Sequence, residues 1–247
     1  MTSLIKADLY RILHKKTLWI LFVCTLAVSA AYSLILRSGS WNGFSYSVRQ
    51  STLVTGLTAL LFGAALFISV YSDEFTARSM QAAIGRGLSR TKVIAAKIIS
   101  CVIVSLILYA ALLAYLLIQS RILQTGMTAE DVKILALSVL KAAYCVAGYT
   151  PLAAVVIYLT DNKALSVFVE ILLVLLLPGF MSILELSVLF ANLHPSRYTL
   201  TGFANRGFTD LMLTGGGAGT LALGFAVYLA AAFALSVLVF CRRELDF

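Results

Sequence analysis

Three charged side chains lie inside long apolar stretches of this sequence: Lys141, Glu170 and Glu185. A charge at the centre of a bilayer costs roughly 2.5–3.5 kcal/mol on insertion scales. Such residues either snorkel to an interface or line an interior surface between helices or subunits. Lys141 comes eight residues after Lys133, about 12 Å along a helix, and Glu170 comes seven residues after Lys163. Glu185 follows Pro178, on the same side as Lys141, so those two can share a layer that Glu170 does not reach. Used as a relay, Lys141, Glu170 or Glu185 would give an ion-gradient-driven secondary transporter or channel.

Other reactive patterns are missing. There is no Gly-x-x-x-x-Gly-Lys-Ser/Thr, no His-Glu-x-x-His and no Gly-x-Ser-x-Gly. The run from Thr214 to Thr220, TGGGAGT, has no lysine and opens an apolar segment, so it reads as an entry turn rather than a phosphate cradle. His14 and His194 are predicted on opposite sides of a membrane and cannot share a metal. Cys24, Cys101, Cys145 and Cys241 fall in or at the ends of apolar runs, where thiols behave as small hydrophobes. The expectation is a non-enzyme with no catalytic residue, metal or cofactor of its own.

The elements that carry these residues follow from composition. Of 247 residues, 61% are hydrophobic and 12% charged, against about a quarter charged in ordinary soluble domains. Apolar runs lie near 17–36, 52–70, 98–118, 135–159, 164–190 and 219–240. Each is long enough to cross about 30 Å of hydrocarbon. The predicted fold is all-α: one polytopic membrane unit over 1–247 with six transmembrane helices, without linker or repeat. The fifth run contains Pro178 and Gly179, and proline in a helix interior removes a hydrogen bond and clashes with the preceding turn. A helix to about Leu177 is expected, then a break, with 178–218 forming a broken outer segment.

Charge sets the orientation. Lys6, Arg11, Lys15, Lys16, Arg78, Arg86, Arg90, Lys92, Lys97, Lys163, Arg242 and Arg243 fall on one side. Arg37, Arg49, Arg121, Lys133, Arg197 and Arg206 fall on the other, a bias of 12 to 6. The positive-inside rule places both termini in the cytoplasm, in a multi-pass protein of the cell membrane. The net charge of +8 is scattered between apolar runs, which suits anionic lipid headgroups and not nucleic acid. Leu4, Ile5, Leu9, Ile12 and Leu13 recur at helical spacing, so 1–16 reads as an amphipathic interfacial helix. The first apolar run is longer than a signal-peptide core and is expected to stay as an anchor.

The longest hydrophilic stretch is 72–97. Phe75, Met80, Ala83 and Ile84 form a short apolar stripe, with Arg78 and Gln81 off it. Gly85-Arg86-Gly87 should end a helix, and Ser89 should cap the next. Arg90, Lys92 and Lys97 oppose the dipole of that next helix, and Asp73 and Glu74 oppose that of the preceding one. Two violations of one local rule point to a use outside the helices: lipid phosphates or a cytoplasmic protein.

Glu74-Phe75, the run Gly85-Arg86-Gly87-Leu88-Ser89-Arg90-Thr91-Lys92 and then Lys97 resemble the membrane subunits of type-2 ATP-binding-cassette (ABC) exporters. The six spans, the amphipathic start, the broken region before the last span and the charged tail CRRELDF are similar in layout. Where members often have Gly-Thr, this chain has Arg78-Ser79. The resemblance implies a permease subunit whose 72–97 loop is a cytoplasmic coupling helix. Glu74, Phe75, Arg78, Met80, Ile84 and Arg86 would then dock on a separate ATPase. It further implies ATP and Mg in that partner, a second permease chain of the same or another kind, and export of a peptide, antibiotic or other amphiphile.

Overall fold

The computed structural model describes residues 2–35, 42–72, 84–85, 87–186 and 193–242. Among these the chain is helical, with no strand. A short helix, α1 (Thr2–Leu13), precedes α2 (Lys16–Ile35), α3 (Gly43–Ser72), α4 (Arg90–Ile122), α5 (Ala129–Thr160) and α6 (Lys163–Leu184). A 3-10 turn (Pro195–Tyr198), α7 (Leu200–Leu213) and α8 (Ala218–Arg242) follow. The six helices α2–α6 and α8 are long and apolar enough to cross a membrane, consistent with a multi-pass membrane protein.

The six apolar runs correspond to these six helices, but α3, α4 and α5 begin well before their runs. α3 starts at Gly43 and α4 at Arg90, several residues before their apolar runs. The added turns contain polar side chains buried by packing: Tyr46, Ser47 and Gln50 on α3, and Lys97 on α4. Gln50 accepts from the Ser29 hydroxyl at 3.1 Å and donates to Ser33 Oγ at 2.6 Å, which ties α3 to α2. The Tyr46 hydroxyl donates to the Leu116 carbonyl at 2.9 Å, tying α3 to α4. Partners of this kind remove the cost of burying a polar group.

α5 is the hub and packs against α3, α4, α6, α7 and α8. Small residues such as Ala142, Ala147 and Gly148 allow that close approach. A Cβ on Gly148 would run into the Leu200 side chain of α7. On the other flank, Phe62 stacks on Phe22 with centroids 5.6 Å apart and meets Tyr109 edge-on at 5.2 Å, joining α2, α3 and α4.

The fifth run departs from expectation. α6 does not break at Pro178-Gly179; it continues to Leu184. One turn earlier, Leu172–Leu176 widens into a π-helical turn, and the Leu177 amide bonds back to the Leu172 carbonyl. Pro178 then lies in the first turn of the resumed α-helix (Leu177–Leu184). A proline there needs no amide and has the right φ, so the helix bends its hydrogen-bond pattern instead of ending. Within 178–218 the described residues hold this helix to Leu184, the 3-10 turn and α7.

Before α4, Gly87 has φ +88°, a left-handed conformation that suits glycine. Its amide bonds to the Ile84 carbonyl at 2.9 Å. Ser89 occupies the expected N-cap position with extended backbone, but its hydroxyl makes no capping bond.

Candidate functional site

One end of the bundle is built from charged side chains. On α1, Leu4, Asp8 and Ile12 fall one turn apart on a single face, with Asp8 and Ile12 buried. On α4, Val93, Lys97 and Cys101 form the matching buried line. Asp8 Oδ2 meets Lys97 Nζ at 2.7 Å, with side chains only 10% and 3% exposed. Lys15 donates to the Ser69 carbonyl at 2.6 Å. That carbonyl belongs to another π-helical stretch, Ile68–Ser72, at the end of α3. Arg90 donates to the Phe240 carbonyl of α8 at 2.9 Å and places its guanidinium 5.9 Å over the Phe240 ring. Phe240 in turn packs against Tyr158 of α5 at 5.3 Å. α1, the end of α3, the start of α4 and the ends of α5 and α8 therefore form one connected cluster.

This cluster alters the reading of 90–97. Lys97 and Arg90 are not all turned to an outside partner; they bind α1 and α8. Lys92 stays exposed. Asp8 was missed because the charge that explains its burial is far away along the chain. The α1 stripe did point to it, since residues 4, 8 and 12 share a face.

The charged residues of the fourth and fifth apolar runs lie in different surroundings. Glu170 on α6 is fully buried, and neither carboxyl oxygen has a hydrogen-bond partner among the described residues. It lies on Gly63 of α3, where an added Cβ would collide with Oε1. Lys141 on α5 is half-buried, one turn from Cys145. Glu185, just beyond α6, accepts the Ser196 amide at 2.9 Å. Hydrogen bonding from the Ser196 side chain and amide holds this carboxyl below its ordinary range, with help from His194 and Arg197. Among the described residues Lys141 and Glu185 form no ion pair.

Two hollows accompany these residues. A pocket of about 300 Å³ is lined by Pro178, Ser182, Arg197, Asn205, Arg206 and Ser196 among others, the last being the residue whose amide Glu185 accepts. Gly202 lies on the backbone of Ser196 and Arg197, with no room for a Cβ. At the charged end, an apolar groove of about 470 Å³ runs between α3 and α6, lined by residues that include Ile68, Ser72, Lys163, Val167 and Phe168.

Of the expected docking residues, Glu74, Phe75, Arg78, Met80 and Arg86 lie outside the described residues. Ile84 is described: it is half-buried and packs against the chain's own core. No group of His, Cys, Asp and Glu that could hold a metal occurs among the described residues. Comparison with known protein families and with curated proteins finds no match.

Proposed function

We propose that the chain is the permease subunit of an ABC exporter, working with a separate cytoplasmic ATPase and a second permease chain. One observation supports this most: the charged end of the bundle is cross-tied. A partner pressing on the segment between α3 and α4 would push on both helices directly. Through Lys15–Ser69, Asp8–Lys97 and Arg90–Phe240 the same push would reach α1 and α8. A motor subunit that closes on ATP needs such a stiff receiving surface, because loosely connected helices would absorb the displacement. Glu74, Phe75, Arg78, Met80 and Arg86 are the proposed contacts, with Ile84 anchoring the segment to the permease itself. ATP and Mg would be bound by the partner. The cargo would be a peptide, antibiotic or other amphiphile moving outward through the membrane.

The test is co-purification from native membranes, followed by reconstitution of the chain with the captured ATPase. Transport should require ATP and be stimulated together with hydrolysis. Phe75→Asp and Met80→Asp should each weaken ATPase binding by about 2 kcal/mol, roughly 30-fold, because apolar anchors in a docking groove carry most of the affinity. Arg86→Ala should cost less, as a rim charge does. Transport that proceeds without ATP on an ion gradient would overturn the reading.

A further inference from the structure

Glu170 is an anomaly in the middle of the bundle. Its side chain is fully buried, and both oxygens lack hydrogen-bond partners among the described residues. An ionised carboxylate in such a place would cost several kcal/mol unless paired. Among the described residues the surrounding helices place no countercharge against it. α3 has no charged residue over Val54–Ser72, its titratable group there being Tyr71. α5 has none between Lys141 and Asp161, where Tyr144, Cys145, Tyr149 and Tyr158 are the titratable groups. α4 brings Cys101 within electrostatic range, has Tyr109 and Tyr115 as its other titratable groups and has no charge between Lys97 and Arg121. On α6 itself, Lys163 lies two turns before it.

The carboxyl nevertheless has a fitted seat. Gly63 leaves the space that Oε1 fills, so the absence of one methyl group on α3 makes room for Glu170. Immediately after Glu170 and Ile171, α6 loosens into the π-helical turn Leu172–Leu176 and then passes Pro178. Such turns supply a place where a helix changes direction. One turn before Glu170, Val167 faces the groove of about 470 Å³ that opens between the same two helices.

We propose that Glu170 is a proton-binding site within the bundle. As the neutral acid it rests on Gly63 and holds α6 against α3. On giving its proton to water in the adjoining groove, the carboxylate leaves the seat, and α6 swings at the Leu172–Leu176 turn. The ligand is a proton, and the response is the α3–α6 spacing.

The full chain, reconstituted in lipid nanodiscs, provides the test. Infrared spectra at neutral pH should show a protonated-carboxyl C=O band that vanishes in Glu170→Gln. Spin labels on Ile68→Cys and Phe168→Cys, in a background free of other cysteines, report the α3–α6 distance. That distance should lengthen as pH is raised in the parent and stay fixed in Glu170→Gln, which remains neutral. Gly63→Ala should give the lengthened distance at all pH values. A carboxylate band for Glu170 at neutral pH overturns the proposal. So does a parent distance that tracks the Gln variant across the pH range, which would make Glu170 a static packing residue.

Discussion

At the scale of single residues, Asp8 and Lys97 dominate the charged end. The pair is nearly dry, so the cost of desolvating both charges is large, and their 2.7 Å contact offsets it only while both are present. Removing one partner leaves the other buried and unpaired. Lys97→Met should therefore destabilise the folded chain by about 3 kcal/mol, toward the lower end of the range for buried pairs because Asp8 keeps some exposure. Asp8→Asn in the same background should recover part of the loss, since the two sites are in contact and their effects do not add. Thermal unfolding in detergent reads both. If Lys97→Met melts with the parent, α1 is held by its apolar face alone. Arg90 differs: its bond to the Phe240 carbonyl is only half-buried, so a smaller effect follows from its loss.

At the scale of elements, α6 carries the most instructive difference between pattern and structure. Six membrane-length helices were legible because each apolar run is about as long as the hydrocarbon core is thick, whatever its neighbours do. Their ends were not legible. Gln50 and Lys97 look like loop residues in a hydropathy pattern, and only Ser29, Ser33 and Asp8 on other helices make helix the better state for them. The π-helical turn had no sequence signal beyond the proline itself, which was visible but read as a stop. A proline in a regular helix interior costs about 3 kcal/mol. Here the ladder is already opened at Leu172–Leu176, and Pro178 follows in a first turn. Pro178→Ala should accordingly change thermal stability by less than about 1 kcal/mol. A gain near 3 kcal/mol on unfolding in detergent would mean that the proline strains α6 and the π-helical turn does not relieve it. For the site residues, Glu170 was legible as an unusual charge, but its seat was not, because nothing in the sequence links position 170 to Gly63.

At the scale of the whole molecule, the contacts sort the chain into two ends. One end gathers α1, Ser69, Arg90, Lys97 and Phe240. At the other end, Gly43 closes on Met127 and Asp131, whose nearest atoms leave a Cβ only 2.5 and 2.6 Å. Lys133 reaches the Met212 carbonyl there at 3.1 Å. Successive long helices run from one end to the other. The first end has the richer set of Lys and Arg, and on the positive-inside rule we propose that it is the cytoplasmic one. Asn42, Gln124 and Asn205 are exposed at or near the second end, and Gly87 is exposed at the first. Single cysteines at these four positions, in a background without native cysteines, should separate cleanly. A membrane-impermeant maleimide added to sealed cells should label the first three and leave Gly87→Cys untouched until the membrane is opened. The opposite pattern would put the cross-tied end outside. No cytoplasmic ATPase could then reach it, and the permease reading would fall with the orientation.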